Sequence, residues 1–289
     1  MKGIIYAILA TISYSSTPTF TQLGYKGGIQ TNTLLFSRHL VSLIFMLPSI
    51  LNKKTISSID GKAIPWLLLF GLMSIIRNIL FNYAYHYLSN MVSIAISISY
   101  IIMVFVIEML LGREKYNRYK GMILIIYMFG LLIIAIPGFS GSMNMIAFTA
   151  GLLGSLQYAV YLIMMNSKYL KSVPTDIILL TDVVSVMLYS FVACIISGES
   201  LLPSNTLQWI SIICLGTVGV ILARGLFYKA VRLIGATQAS MIDSMEPLSS
   251  AVLGWFLLGQ GLNVYTVAGS ALMIVSILML LREKNTDEQ

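Results

Sequence analysis

Ionisable residues are scarce in this sequence, and several of them interrupt long apolar segments. The basic residues in such positions are Arg77 and Arg224, and the acidic ones are Asp182, Asp243 and Glu246. A guanidinium in such a place could bind a carboxylate or phosphate of a substrate, and a carboxylate could bind an ammonium group or exchange a proton. The competing interpretation is structural, with the acids neutralising the arginines and joining helices.

Of the acids that interrupt apolar segments, Asp243 and Glu246 form the strongest candidate for cation chemistry. Asp243 and Glu246 are three residues apart, so they share one face of a helix. Pro247 follows directly and frees a backbone carbonyl near that face. This arrangement predicts proton coupling or the binding of a substrate ammonium. Salt bridges to Arg77 or Arg224 are the structural alternative.

Uncharged polar residues also recur inside apolar segments. The run Ser13–Gln22 is polar and contains Pro18, and such segments persist in lipid only where they line water or protein. Asn78, Asn82 and His86 are spaced by four and lie on one helical face, where they could line a cavity or join helices by hydrogen bonds. An aromatic wall for an amine or an aromatic ring is predicted from four tyrosines: Tyr14, Tyr100, Tyr158 and Tyr161.

The elements that must position these residues are membrane-spanning helices. The chain has 289 residues, of which 57% are hydrophobic and only 10% charged. A soluble globular chain averages about 25% charged residues, so an ordinary soluble enzyme is excluded. Ten apolar segments approach the roughly 20 residues that one span needs. They are span 1 (Gly3–Leu23), span 2 (Thr33–Leu51), span 3 (Ala63–Tyr87), span 4 (Asn90–Leu111), span 5 (Tyr119–Pro137), span 6 (Met145–Ser167), span 7 (Asp176–Ser197), span 8 (Thr206–Ala230), span 9 (Ala236–Leu258) and span 10 (Val264–Leu281).

Basic residues divide unequally between the two sets of loops. Of the 18 lysines and arginines, 14 fall in loops or ends on one side, only Lys26 falls on the other side, and Arg38, Arg77 and Arg224 lie within spans. The positive-inside rule then places both termini in the cytoplasm and the protein in the cytoplasmic membrane. It also accounts for the net charge of +7 without nucleic acid as a partner.

No set of residues points to catalysis. The sequence contains no GxSxG, no HExxH and no Walker lysine, and its two cysteines lie apart within apolar segments. We therefore expect no catalytic residues, no metal site and no cofactor.

The two halves of the sequence resemble each other. Trp66 and Trp209 are 143 positions apart, and Arg77 and Arg224 are 147 positions apart. His39 aligns with Asp182, and their spacing of 143 positions equals that of the two tryptophans. These offsets predict two five-helix repeats, residues 1–140 and 141–289. Because five is odd, the second repeat is inverted in the membrane, which is typical of alternating-access transporters.

Several short motifs carry a family resemblance over nearly the whole chain. They are Arg38 in span 2, Phe81/Ala84/Leu88 and Phe227/Ala230/Ile234 at the ends of spans 3 and 8, Gln157–Tyr161 in span 6, and Glu246-Pro247 followed by Leu257–Gln260 in span 9. With these motifs the sequence resembles the drug/metabolite transporter superfamily, in its ten-helix EamA-like branch. The resemblance implies a central cavity formed mainly by helices 1–4 and 6–9. Helices 5 and 10 would lie at the periphery, where such proteins often form dimers.

These observations together predict an all-α membrane protein with ten transmembrane helices. Buried charges of both signs favour a secondary transporter of a small polar metabolite, an amino acid or an amine-bearing derivative. Its partners would be the substrate and the bilayer, together with protons if Asp243 and Glu246 exchange them. Whether the protein forms a homodimer is left open. One alternative is a proton-coupled transporter of an organic cation. The alternative from another class is an intramembrane enzyme or a receptor-like scaffold.

Overall fold

The computed structural model describes residues 2–50, 61–88, 96–113, 118–136 and 144–246, together with residues 249, 264–265, 267–269, 271–273, 275–276 and 279. Every regular element within these residues is helical. The helices are α1 (Lys2–Ser15), α2 (Thr17–Lys26), α3 (Thr31–Ile50), α4 (Ile64–Tyr87), α5 (Tyr100–Leu110), α6 (Arg118–Ala135), α7 (Met145–Met164), α8 (Thr175–Ser197), α9 (Thr206–Cys214), α10 (Gly225–Ile234) and α11 (Ala236–Asp243). A π-helical segment, Leu215–Arg224, joins α9 to α10.

Four stretches of the described chain are long and apolar enough to cross a membrane. They are Gly61–Ala84, Met145–Met164, Thr175–Ser197 and Thr206–Ile234, which correspond to predicted spans 3, 6, 7 and 8. Helix α8 exposes apolar side chains and buries the acid that lies within its apolar stretch, as expected for a helix in lipid. Ile196 is 80% exposed, whereas Asp182 on the same helix is 0% exposed. The number of ten spans stays a prediction, because spans 4, 9 and 10 include residues outside the described part of the chain.

Predicted span 1 is divided into two helices near Pro18. Helix α1 ends at Ser15 and α2 begins at Thr17, so Pro18 lies in the first turn of α2, where its missing N–H costs no helical hydrogen bond. Two hydroxyls of the polar run donate hydrogen bonds to backbone carbonyls three or four residues earlier in the chain. Ser13 donates to the Leu9 carbonyl at 2.7 Å, and Ser16 donates to the Ser13 carbonyl at 2.7 Å. At these positions the polar run supports the helix break.

The π-helical segment replaces part of a helix that the sequence predicts to be regular. Its close contact with α3 is made at Gly216, where a Cβ atom would lie 2.8 Å from the carbonyl oxygen of Arg38. Ser42 joins the same two backbones, because its hydroxyl lies 2.7 Å from the Arg38 carbonyl and 2.9 Å from the Gly216 carbonyl. A π-helical turn changes the direction in which the following side chains point, and such turns recur at functional sites. The segment ends at Arg224.

On the face that carries Lys26, loops from both halves are joined by hydrogen bonds. A carboxylate oxygen of Glu199 accepts from the backbone N–H groups of Asn32 at 3.0 Å and Thr33 at 3.1 Å. A negative charge at the first turn of α3 is favourable, because the N–H groups there have no helical partner. The Gly27 carbonyl accepts from the side-chain amide of Gln208 at 2.8 Å.

The opposite face is held together in a similar way. Arg232 donates to the Leu170 carbonyl at 2.5 Å, and Asn166 donates to the Val231 carbonyl at 2.9 Å. Trp66, at the start of α4, stacks on Tyr169 with ring centres 4.4 Å apart. The loops that meet on each face are those that the charge count assigns to one side of the membrane.

Candidate functional site

Asp182 lies at the centre of the buried polar residues. Its Oδ1 accepts from Arg77 Nη2 at 3.2 Å and from the Tyr161 hydroxyl at 3.1 Å. Its Oδ2 accepts from Nη1 of Arg224. The donors belong to α4, α7 and the π-helical segment, while Asp182 itself belongs to α8. One carboxylate therefore joins four elements that are distant in the sequence.

The guanidinium of Arg77 is held by aromatic rings as well as by Asp182. Its Cζ lies 4.8 Å from the ring centre of Tyr161 and 5.0 Å from that of Tyr158. Cation–π contacts of this kind are strongest where water is excluded, and Arg77 is only 7% exposed. The protein thus supplies both the counter-charge and the aromatic rings that surround this guanidinium.

Two residues that the sequence did not single out complete the aromatic packing around Asp182. The hydroxyl of Tyr228 shares a hydrogen bond with that of Tyr161, and Phe70 stacks on Tyr161 with ring centres 3.9 Å apart. All three side chains are fully buried. Aromatic residues in apolar helices are common, so no pattern in the sequence distinguishes Phe70 or Tyr228 from ordinary packing.

Asp243 has a different set of partners. Its Oδ2 accepts from the Tyr100 hydroxyl at 3.2 Å, and its Oδ1 lies 3.4 Å from the Thr11 hydroxyl. Among the described residues, these donors are neutral and no ion pair reaches the carboxylate. Glu246 is close enough to Asp243 to interact with it electrostatically. Helix α11 ends at Asp243 and a turn at residues 244–245 separates the two acids, so they do not lie on one continuous helix as their spacing predicted.

The structural alternative expected Asp243 and Glu246 to neutralise Arg77 and Arg224. For the described residues that pairing is wrong, because both arginines bind Asp182. The reason lies in the packing. Helix α8, which carries Asp182, packs against α4 and α10, whereas α11, which carries Asp243, packs against α1, α5 and α10.

Tyrosines connect the two acidic residues. The Tyr158 ring lies 4.7 Å from the Tyr100 ring, and Arg77 lies over Tyr158 on the side toward Asp182. Tyr14, on α1, lies near Tyr158, Arg224 and Asp243, and its ring packs edge-on against Phe227 with ring centres 6.1 Å apart. The structure therefore brings the four predicted tyrosines together, and their role as substrate ligands stays a prediction.

The predicted polar stripe on α4 is less directly involved. The Asn78 amide donates to the Ser74 carbonyl of its own helix at 2.8 Å. Asn82 is partly buried one turn further along, and the side chain of His86 lies outside the described part of the chain. Asn78 and Asn82 stay candidates because they follow Arg77 on the same helix.

Positions related by the sequence repeat meet at this site. Arg77 and Arg224 share the carboxylate of Asp182. Tyr100 and Asp243 are 143 positions apart and are joined by a hydrogen bond. The repeat identified the arginine pair because the residues are identical. It did not identify the second pair because a tyrosine and an aspartate look unrelated, although the constant offset was a usable signal.

Buried charges enclosed by long apolar helices define a multi-pass membrane protein. The EamA-like transporter family matches the sequence twice, over residues 1–136 and over residues 145–282. The chain therefore belongs to the EamA-like transporter family, which confirms the resemblance to the drug/metabolite transporter superfamily. The double match also establishes an architecture of two repeats.

The fold is also found among solved structures. One crystal structure of a protein superposes with a TM-score of 0.82 over 99% of this chain and 99% of that chain. The sequences are 12% identical, so this match concerns the fold alone. No curated protein matches the chain.

Proposed function

We propose that the protein is a secondary active transporter that moves a small zwitterionic metabolite, an amino acid or an amine-bearing derivative, across the cytoplasmic membrane. The observation that supports this proposal is a single buried centre with charged groups of both signs. Arg77 and Arg224 lie around Asp182, and Tyr100 lies beside the second acid, Asp243. The ring of Tyr158 links the two groups, because it contacts both Arg77 and Tyr100. A zwitterion presents opposite charges to the two ends of such a centre.

Asp243 is the residue that we assign to the ammonium group or to a coupling proton. Its hydrogen bonds come from hydroxyls, so a cation can bind without breaking an ion pair. The rings of Tyr100 and Tyr158 lie beside it and can contact an ammonium group through their faces. Glu246 provides a second carboxylate close to Asp243 for proton exchange.

The energy for transport would come from a gradient of substrate or protons, since the sequence contains no Walker lysine. We propose that the two repeats are inverted and rock about the buried centre, which would then open to each side in turn. Asp182 joins elements of both repeats and would be near the pivot of that motion.

The proposed orientation places the face with Lys26 outside the cell. Single cysteines at Gln30 and Lys171, introduced after replacing Cys194 and Cys214, test it because both positions are exposed and lie on opposite faces. In intact cells an impermeant thiol reagent should label position 30 and not position 171. The reverse pattern would place the termini outside the cell.

Uptake into proteoliposomes tests the function itself. We expect uptake of labelled amino acids by the wild type and a loss of about tenfold or more in the Asp243→Asn variant, equivalent to about 1.4 kcal/mol. Asp176→Asn is the matched control, because this acid is 52% exposed and pairs with Lys229 at 3.9 Å. Normal uptake by Asp243→Asn would refute the assigned role. Uptake restricted to amines that lack a carboxylate would favour the organic-cation alternative.

A further inference from the structure

Arg38 differs from the other two intramembrane arginines in its partners. It is partly buried on α3 and interacts electrostatically with Arg224, Arg77 and Asp182. The Nε atom of Arg38 is buried without a hydrogen-bond partner, and among the described residues no ion pair reaches its guanidinium. Arg77 and Arg224, by contrast, are both bound to Asp182.

The charge of this cluster is unbalanced. Arg38 lies near Arg77, Arg224 and Asp182, and among the described residues Asp182 is the one acid that forms an ion pair with any of these arginines, so the three arginines carry two positive charges more than their paired carboxylate. Excess charge within a bilayer is costly unless a partner of the opposite sign is bound. An oxyanion offers the geometry that arginine binds best, since two N–H groups can donate to its two oxygens.

The backbone of Arg38 is positioned firmly. Its carbonyl accepts from the Ser42 hydroxyl at 2.7 Å, and this hydroxyl also contacts the Gly216 carbonyl at 2.9 Å. The missing Cβ of Gly216 lets α3 touch the π-helical segment that ends at Arg224. The packing therefore holds the backbone of Arg38 against the π-helical segment at Gly216, while Nε of the Arg38 side chain has no hydrogen-bond partner.

A second polar atom without a partner lies against the same π-helical segment. The Thr17 hydroxyl is buried with no hydrogen-bond partner, and a Cβ on Gly219 would lie 3.1 Å from it. A buried hydroxyl without a partner is unfavourable, so a ligand that accepts a hydrogen bond from it gains affinity. Two helices that pack against this one segment thus each carry an unsatisfied donor, which is consistent with a site for a hydrogen-bond acceptor.

We propose that Arg38, assisted by Arg224, binds the carboxylate of the transported metabolite on the side of Asp182 that faces Lys26. Arg38 is the eighth residue of α3, which places it about 11 Å of helical rise from the start of that helix. A carboxylate that approaches from this face meets Arg38 before it reaches the Asp182 cluster. The identity of the ligand as a metabolite rests on the proposed function, whereas the oxyanion chemistry of Arg38 does not.

Thermal unfolding of the purified full-length protein tests the site with a minimal probe. Acetate is compared with acetamide, which has the same shape and no charge, at constant ionic strength set with chloride. We expect acetate to raise the unfolding temperature of the wild type more than acetamide does. The Arg38→Gln variant should lose this difference, corresponding to acetate binding that is weaker by about tenfold or more.

Two further variants keep the test decisive. Arg38→Lys retains the charge and should retain part of the acetate effect, even if Arg38→Gln does not fold. Arg118→Gln, at an exposed position of α6, should respond to acetate like the wild type. Equal responses of the wild type and both Arg38 variants, or no preference for acetate in the wild type, would overturn the proposal.

The same variants separate this proposal from the proposed function. If amino acids are transported and the KM is the same in Arg38→Gln as in the wild type, the carboxylate site is wrong and the function stands. If no amino acid is transported but acetate stabilises the wild type through Arg38, the oxyanion site stands and the cargo is a different anion.

Discussion

Two buried aspartates of this protein, Asp182 and Asp243, meet different kinds of donor. Asp182 accepts hydrogen bonds from two arginines and one tyrosine, whereas Asp243 accepts them from one tyrosine and one threonine. Both are almost completely buried, at 0% and 7% exposure. The difference between them is therefore in charge compensation and not in exposure.

This difference separates a structural role from a functional one. A carboxylate between two guanidinium groups is already compensated, and removing it leaves buried charges without a partner. A carboxylate bound only by hydroxyls can take up an ammonium group or a proton while its other contacts stay in place. We infer that Asp182 holds the arginines in position and that Asp243 takes part in binding.

The largest effect is expected from Asp182→Asn. The amide can still accept from Tyr161, but Arg77 and Arg224 lose their counter-charge, which should lower the free energy of unfolding by about 3–5 kcal/mol. Thermal unfolding in detergent, together with the yield of monodisperse protein, measures the loss. The exposed acid variant Asp176→Asn should change stability by less than about 0.5 kcal/mol. A wild-type unfolding temperature for Asp182→Asn would remove the structural role.

Arg77→Lys should have a smaller effect because the positive charge is kept. The planar guanidinium that contacts the rings of Tyr158 and Tyr161 is lost, which should cost about 1–2 kcal/mol. Arg118→Lys, at an exposed position, is the control for the chemical change itself. Equal unfolding temperatures of the two variants would show that the ring contacts do not contribute to stability.

Asp243→Asn should cost about 1 kcal/mol, several times less than the same change at Asp182. The asparagine carbonyl can accept from Tyr100, and no described arginine is left without its partner. The two variants are to be compared by thermal unfolding under identical conditions. A loss at Asp243 as large as that at Asp182 would reveal an ion pair and contradict the comparison.

The smallest effect is expected from Tyr100→Phe, at about 0.5–1 kcal/mol. The change removes the hydroxyl that donates to Asp243 and keeps the ring contact with Tyr158. A double-mutant cycle with Asp243→Asn isolates the hydrogen bond. If the two losses add fully, the hydroxyl and the carboxylate do not interact energetically. Tyr83→Phe, at an exposed position of α4, provides the control.

Much of the architecture was predictable because lipid constrains it locally. Span 7 was predicted as Asp176–Ser197 and α8 covers Thr175–Ser197, since hydropathy alone marks where an apolar helix begins and ends. The division of span 1 was predictable from Pro18, because proline has no N–H to donate and is best tolerated in the first turn of a helix. Several intramembrane residues of the site, such as Arg77 and Asp243, were also identifiable, because a charge in an apolar segment needs a partner or a function.

The sequence by itself determined that helices cross a membrane in two repeats and that they carry buried charges of both signs. Only the tertiary structure decided which charges pair. Asp182 binds arginines that are 105 and 42 positions away along the chain, because helix packing, and not spacing along the sequence, brings side chains of different helices together. The π-helical segment and the position of Arg38 against it were likewise undetermined, since they depend on the close contact of two backbones at Gly216.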